Sequence, residues 1–145
     1  MTSTTSQLKT AIDDLLNMDQ AFIDWDYRPG ANKWSKKEII GHLIDSAQVN
    51  LQRFVRCTYE ENFKLIYAQE EWVIAQHYNQ AAVTELLTLW RLLNMQIIRV
   101  LDNYPKDRLL IKCDNSKIER HLHTVEWLAK DYVAHLKHHL KQLYS

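Results

Sequence analysis

Hydrophobic residues recur at three- and four-residue steps along four stretches of the chain, the spacing that places them on one face of an α-helix. Pro29-Gly30 marks a turn after the first stretch. Ser35-Lys36-Lys37-Glu38 opens the second with a capping box, in which each outer side chain binds the other residue's amide. The predicted helices are a first with apolar positions Leu8, Ala11, Ile12, Leu15, Met18 and Phe22, a second from Ser35 to about Cys57, a third over about Gln80–Leu101 and a fourth over about Thr124–Leu143.

The segments between these helices differ in character. Residues 58–78 mix aromatic and charged side chains without a period, and we predict a crossover there with one short helix at Gln69–Gln76. Residues 103–123 are polar and irregular. The chain of 145 residues holds only two glycines and two prolines, which favours long helices over turn-rich β architectures. The sequence therefore predicts one domain over 1–145, an all-α four-helix bundle with a long crossover between helices two and three.

Charge and cysteine usage narrow the function classes. The formal net charge is zero and no run of Lys or Arg forms a basic patch, so we expect no nucleic-acid partner. No apolar stretch reaches the roughly 18 residues that a membrane span needs. The polar start has no apolar signal region, and Cys57 and Cys113 form no CxxC pair. We expect reduced thiols and a cytoplasmic location.

Seven histidines are the most distinctive chemical feature of the sequence. His135 and His139 are four residues apart on the fourth helix and so lie on one face, where they could chelate one ion. With Leu136 at the centre of the apolar face, they fall roughly 100° and 60° to one side of it, at the edge of the core. His138 falls about 160° away, in solvent. A pair of this kind can also be no more than the polar edge of an amphipathic helix.

The same construction on the second helix, centred on Leu43, puts His42 roughly 100° to one side, with Ser46 and Arg53 on the same flank. Three histidine ligands with an open position are typical of a catalytic metal site. His42 could instead be an ordinary helix-flank residue, and Arg53 could form a surface salt bridge. Asp45 falls about 60° beyond His42, away from the core.

Trp72 and Gly41 are two further positions whose residue type indicates a local role. Trp72 lies in the irregular crossover, where a side chain could line a pocket. Gly41 costs about 1 kcal/mol relative to alanine inside a helix, so it either permits a close approach or is simply tolerated.

Two stretches resemble a known family. They are similar to signatures of the DinB-like superfamily. The first, preceded by Pro29-Gly30, is Trp34-Ser35-Lys36-Lys37-Glu38-Ile39-Ile40-Gly41-His42-Leu43-Ile44-Asp45-Ser46. The second, near the end of the sequence, is Asp131-Tyr132-Val133-Ala134-His135-Leu136-Lys137-His138-His139-Leu140-Lys141-Gln142. The resemblance covers essentially the whole chain. It implies an up-down-down-up bundle, a His42, His135 and His139 site for a divalent metal such as zinc or nickel, and frequent homodimers.

The resemblance also implies a class of function. Some relatives transfer low-molecular-weight thiols to electrophiles and others are described as hydrolases. We therefore expect a metal-dependent thiol transferase acting on small molecules, with Ser46, Arg53 and Trp72 as candidate substrate-binding residues. The alternatives are a metal-dependent hydrolase and a non-catalytic binding module in which a metal cross-links two helices.

The third helix carries apolar residues outside its core face, at Leu89, Leu92 and Ile98. Extra apolar surface on a half-exposed helix indicates a partner, and with the resemblance it leads us to expect a homodimer. The alternative is that residues 58–78 fold over this surface within the same chain.

Overall fold

The computed structural model of the protein describes residues 1–145. It contains five α-helices and one β-hairpin, and four of the helices form the bundle. The elements are α1 (Thr2–Leu16), α2 (Lys36–Arg56), α3 (Gln69–Gln76), α4 (Val83–Asp102), β1 (Lys112–Asp114), β2 (Leu122–Thr124) and α5 (Val125–Tyr144).

Side-chain contacts fix the direction of each bundle helix. Thr5, near the start of α1, donates to Asp102 at the end of α4 (2.6 Å), so these helices are antiparallel. Tyr104, just after α4, donates to the Phe54 carbonyl near the end of α2 (2.7 Å), so α2 and α4 are parallel. Lys36 at the start of α2 donates to the Leu143 carbonyl at the end of α5 (3.2 Å), so that pair is antiparallel. The resulting order is up-down-down-up, as expected.

Helix boundaries follow local capping. The Ser35–Glu38 capping box forms as predicted, with N–H···O distances of 3.1 and 2.9 Å. Helix α1 ends earlier than predicted, because the Gln20 amide donates to the Leu15 carbonyl (2.8 Å) and closes the helix end. The prediction that Phe22 continues the apolar face of this helix is wrong, since its side chain is 84% exposed. The third predicted helix begins at Val83 instead of Gln80, after a short 3₁₀ turn at Tyr78–Gln80.

The crossover packs against α2. Its short helix α3 occupies the predicted residues Gln69–Gln76. Tyr78, just beyond it, lies against Gly41, where an added Cβ would be only 2.2 Å from the ring. Tyr78 and Gln76 also donate to the Asp45 carboxylate, which is completely buried. Asp45 therefore lies on the side of α2 away from the other bundle helices, as its helical phase predicts, but the crossover covers that side and buries it.

The region predicted to be irregular contains a small sheet that the sequence did not indicate. Strands β1 and β2 pair antiparallel with Cys113 opposite His123. Residues 62–65 run alongside β1. The backbone amide of Asn62 donates a hydrogen bond to the Lys112 carbonyl (2.7 Å), and that of Leu65 donates to the Asp114 carbonyl (3.0 Å). This pairing ties the crossover to the connection before α5, and both then form one wall of the site described below.

The outer face of α4 stays uncovered in the single chain. Leu89 and Leu92 are 40% and 50% exposed. The alternative that residues 58–78 fold over this surface is wrong, because α3 packs on α2. None of the helices is both long and apolar enough to span a lipid bilayer.

Candidate metal centre

Three histidines from two helices converge near one end of the bundle. His42 lies on α2, and His135 and His139 are on successive turns of α5, so the antiparallel α2–α5 pair brings them face to face. One ring nitrogen of each lies within 4.8 Å of the others. The Nε2 atoms of His135 and His139 are 3.1 Å apart. Two imidazole nitrogens on a tetrahedral zinc ion are separated by about 3.3 Å at ordinary bond lengths, so this pair has the spacing of metal ligands.

The hydrogen bonds of His42 define which nitrogen is free. Its Nδ1 lies 2.9 Å from the Tyr67 hydroxyl, and that hydroxyl in turn donates to the His42 carbonyl (3.3 Å). Because the hydroxyl proton is directed at the carbonyl, we assign the imidazole proton to Nδ1, which donates to Tyr67. Nε2 then carries a lone pair, is buried and has no partner. A buried acceptor without a partner is costly, and a bound cation would satisfy it.

His139 is oriented in the same way. Its Nδ1 donates to the Gln142 side-chain oxygen (2.8 Å), which leaves Nε2 as the free nitrogen facing His135. Partners of this kind fix the tautomer and orientation of metal-binding histidines. Sequence reasoning missed both partners. Gln142 could have been found, since it lies three residues after His139 on one helix face, whereas Tyr67 lies in a segment without periodicity.

Electrostatics keep all three imidazoles neutral. Burial lowers the pKa of His42 to about 3, and the neighbouring His139 and His135 add to the decrease. Burial is also the largest cause of the lowered pKa values of His135 and His139. The neutral imidazole is the form that binds metals, so the folded chain holds these ligands ready without first removing protons.

Two clefts are each lined by one histidine of the cluster. The large cleft has a volume of about 440 Å³ and is lined by His139, Trp34 and Glu70 among others. The small cleft, of about 190 Å³, is lined by His135, Tyr67 and Asp131 together with residues of α2 and of the connection before α5. His42 is completely buried and lines neither cleft, so the clefts meet the cluster only at the two histidines of α5.

The candidate substrate residues have different environments. Ser46 and Arg53 both line the small cleft. Arg53 is only 6% exposed, so a surface salt bridge is the wrong interpretation of this residue. Trp72 packs edge-on against Tyr67 with ring centroids 6.0 Å apart, and it lines neither cleft. It therefore supports the residue that orients His42.

The other histidines lie outside this cluster. His138 is exposed, as its helical phase predicts. His77 ends α3 in a left-handed backbone conformation with φ of 51°. His123 is stacked between His121 and Trp127, with ring centroids 4.3 and 3.5 Å away.

Comparison with known proteins agrees with this fold. The structure resembles YfiT from Bacillus subtilis, described as "a probable metal-dependent hydrolase with an unusual four-helix bundle topology", with a TM-score of 0.76 and 20% identity over 97% of this chain and 77% of YfiT. It also resembles the DinB-like protein YjoA from Bacillus subtilis, with a TM-score of 0.60 and 15% identity over 98% and 88% of the two chains. No curated protein matches the sequence. The family model of the DinB superfamily matches residues 7–143, and the chain belongs to that superfamily.

Proposed function

We propose that the protein binds one divalent metal ion, zinc or nickel, through His42, His135 and His139, and uses it as a small-molecule thiol transferase. The observation that carries the proposal is the convergence of three histidines, each with one ring nitrogen within 4.8 Å of the others, of which His42 Nε2 is buried without a partner. Such an ion, when bound, supplies a Lewis acid that lowers the pKa of a thiol reaching it.

The chain's own residues support transfer in two ways. Tyr67 and Gln142 hold the ligand rings in place from behind, so the ligand set is formed before any substrate arrives. A thiol and an electrophile would have one cleft each, beside His139 and beside His135, and the volume of the large cleft is in the range of small-molecule sites. No carboxylate belongs to the ligand cluster, and a thiolate nucleophile needs no general base once the thiol has lost its proton.

The direct test uses a thiol and an aryl chloride electrophile. The thiolate sulfur attacks the ring carbon, the new C–S bond replaces the C–Cl bond, chloride leaves, and the thiol proton is released to solvent. We expect a metal-dependent rate with at least one low-molecular-weight thiol, lost in His42→Ala and retained in His138→Ala. No metal-dependent rate with any of several thiols would contradict the proposal.

Hydrolysis is the second candidate, favoured by two carboxylates near the histidines. Asp131 lines the small cleft beside His135, and Glu70 lines the large cleft beside His139. Either could act as the general base that metal-assisted hydrolysis normally requires. YfiT, which shares the fold, is described as "a probable metal-dependent hydrolase". Metal-dependent cleavage of an ester or amide panel that Asp131→Asn or Glu70→Gln abolishes would place this function above thiol transfer.

A further inference from the structure

Arg53 is a buried cation that forms no direct ion pair, although the charge of Asp131 in the same cleft favours its charged form. Its side chain is 94% withdrawn from solvent, yet none of the four ion pairs in the molecule includes it. The guanidinium makes only two hydrogen bonds, from Nη1 to the Asn50 side-chain oxygen (3.3 Å) and from Nη2 to the Leu65 carbonyl (2.6 Å). Its Nε is buried without a partner. An unpaired buried charge is unfavourable, so a ligand that supplied the missing partner would stabilise it.

The position of Arg53 relates it to the histidines. It follows His42 by eleven residues, about three helical turns, so both lie on the same face of α2. Arg53 and His135 line the same small cleft. The cleft has a volume of about 190 Å³, smaller than the usual small-molecule site.

The charged lining of this cleft is cationic overall. Lys117 joins Arg53 there, and Asp131 is the only acidic residue of the lining. With two cations and one carboxylate, the small cleft attracts an anion, and a guanidinium fork matches the planar geometry of a carboxylate.

We propose that Arg53, assisted by Lys117, binds a carboxylate of the small molecule whose reacting group occupies the three-histidine centre. The protein's substrate, or its thiol co-substrate, is then a carboxylic acid. This inference rests on the proposed metal-centred function and specifies its ligand class. Asn50 and the Leu65 carbonyl hold the guanidinium in position.

The test compares matched ligands on cobalt-loaded protein, whose visible spectrum reports coordination at the metal. 3-Mercaptopropionate is paired with 2-mercaptoethanol, and succinate is paired with succinamide, so that the carboxylate is tested with a sulfur donor and with an oxygen donor. In the wild type we expect the carboxylate member to bind at least about tenfold more tightly in one pair or both, as charge-assisted hydrogen bonds in a buried site predict. A preference in the thiol pair would identify the co-substrate as the acid, and one confined to the succinate pair would identify the electrophile.

Variants separate recognition from structure. Arg53→Gln should remove the carboxylate preference while metal content stays at the wild-type level, and Arg53→Lys should retain part of it. Arg56→Gln is the matched control, since Arg56 is one turn further along α2 and pairs with Glu60 at the surface (2.6 Å). It should leave the preference unchanged. Should Arg53→Gln fail to fold, Lys117→Gln, on an exposed side chain, should still reduce the preference.

The two proposals fail in different ways. Loss of the three-histidine centre would appear as absent metal in the wild type. A wild type that binds metal but shows no preference in either pair, or a preference that survives in Arg53→Gln, would overturn the carboxylate site alone.

Discussion

Replacing Gly41 with alanine should destabilise the protein, although alanine is the better helix former. An added Cβ would lie 2.2, 2.4 and 2.5 Å from three ring carbons of Tyr78. Ordinary carbon–carbon contacts are about 3.5–4.0 Å, so the ring would have to move by more than about 1 Å. Tyr78 is buried, and its hydroxyl is held by Asp45, which leaves little room for that movement.

The expected change in the free energy of unfolding on Gly41→Ala has three contributions. Overpacking of this kind costs about 1–3 kcal/mol. Moving Tyr78 would also deprive the buried Asp45 of a donor, at a further cost of about 1–3 kcal/mol. The gain in helix propensity offsets about 1 kcal/mol. The free energy of unfolding should therefore fall by roughly 1–5 kcal/mol, with a central value of about 3.

Urea denaturation of the metal-free protein measures this change. Gly30→Ala is the matched control, because its added Cβ would meet the Lys33 side chain at an ordinary 3.5 Å, and stability should change by less than about 0.5 kcal/mol. In a Tyr78→Ala background the sign should reverse, since the clash is gone and only the propensity gain remains. A Gly41→Ala protein as stable as the wild type would refute the close contact between Gly41 and Tyr78.

Three further predictions concern the site and the surface. Tyr67→Phe should weaken metal affinity about 10–100-fold without abolishing it, as loss of a ligand-orienting partner does, and competition with a chromophoric chelator measures this. Burial lowers the pKa of His42 in the folded protein to about 3 from 6.5, so as the pH falls the unfolded state binds a proton at a higher pH than the folded state does. The metal-free protein should therefore lose about 2 kcal/mol of stability between pH 7 and pH 5. Urea denaturation in EDTA at several pH values measures this, and no such loss would contradict the burial of His42 as a neutral group. We also predict a homodimer through the exposed face of α4, so light scattering should give twice the chain mass for the wild type and a smaller mass for Leu92→Glu. A single-chain mass for the wild type at micromolar concentration would rule out the dimer. If Leu92→Glu still forms a dimer, another surface forms the interface.

Local signals carried most of the fold prediction. The Ser35–Glu38 box, the Thr124 N-cap and the apolar periodicity act within one or two turns, so their consequences can be read from consecutive residues. The hairpin could not be predicted this way, because strands of three residues are too short for an alternating pattern. Its existence depends on pairing with residues 62–65, a contact that is distant in the sequence.

The site shows the same division. The helical phase places His42, His135 and His139 at the core edge of their helices, where they form the cluster. It also places Ser46 and Arg53 on the flank of α2 that lines the small cleft. The same calculation did not show that Asp45 is buried, since phase alone does not show what covers the outer side of a helix. Tyr67 and Lys117 reach the site from the crossover and from the connection before α5, and nothing in their local sequence indicates this.

The metal content of histidine variants tests the central claim most directly. Protein purified without a metal-affinity tag, loaded with zinc or nickel and dialysed, should contain about one ion per chain by elemental analysis, as three ligands around a single point require. His42→Ala and His139→Ala should each lose most of that ion. His138→Ala is the control, since it removes an exposed imidazole next to His139, and it should keep the full complement. A full ion per chain in both His42→Ala and His139→Ala would contradict the three-histidine site.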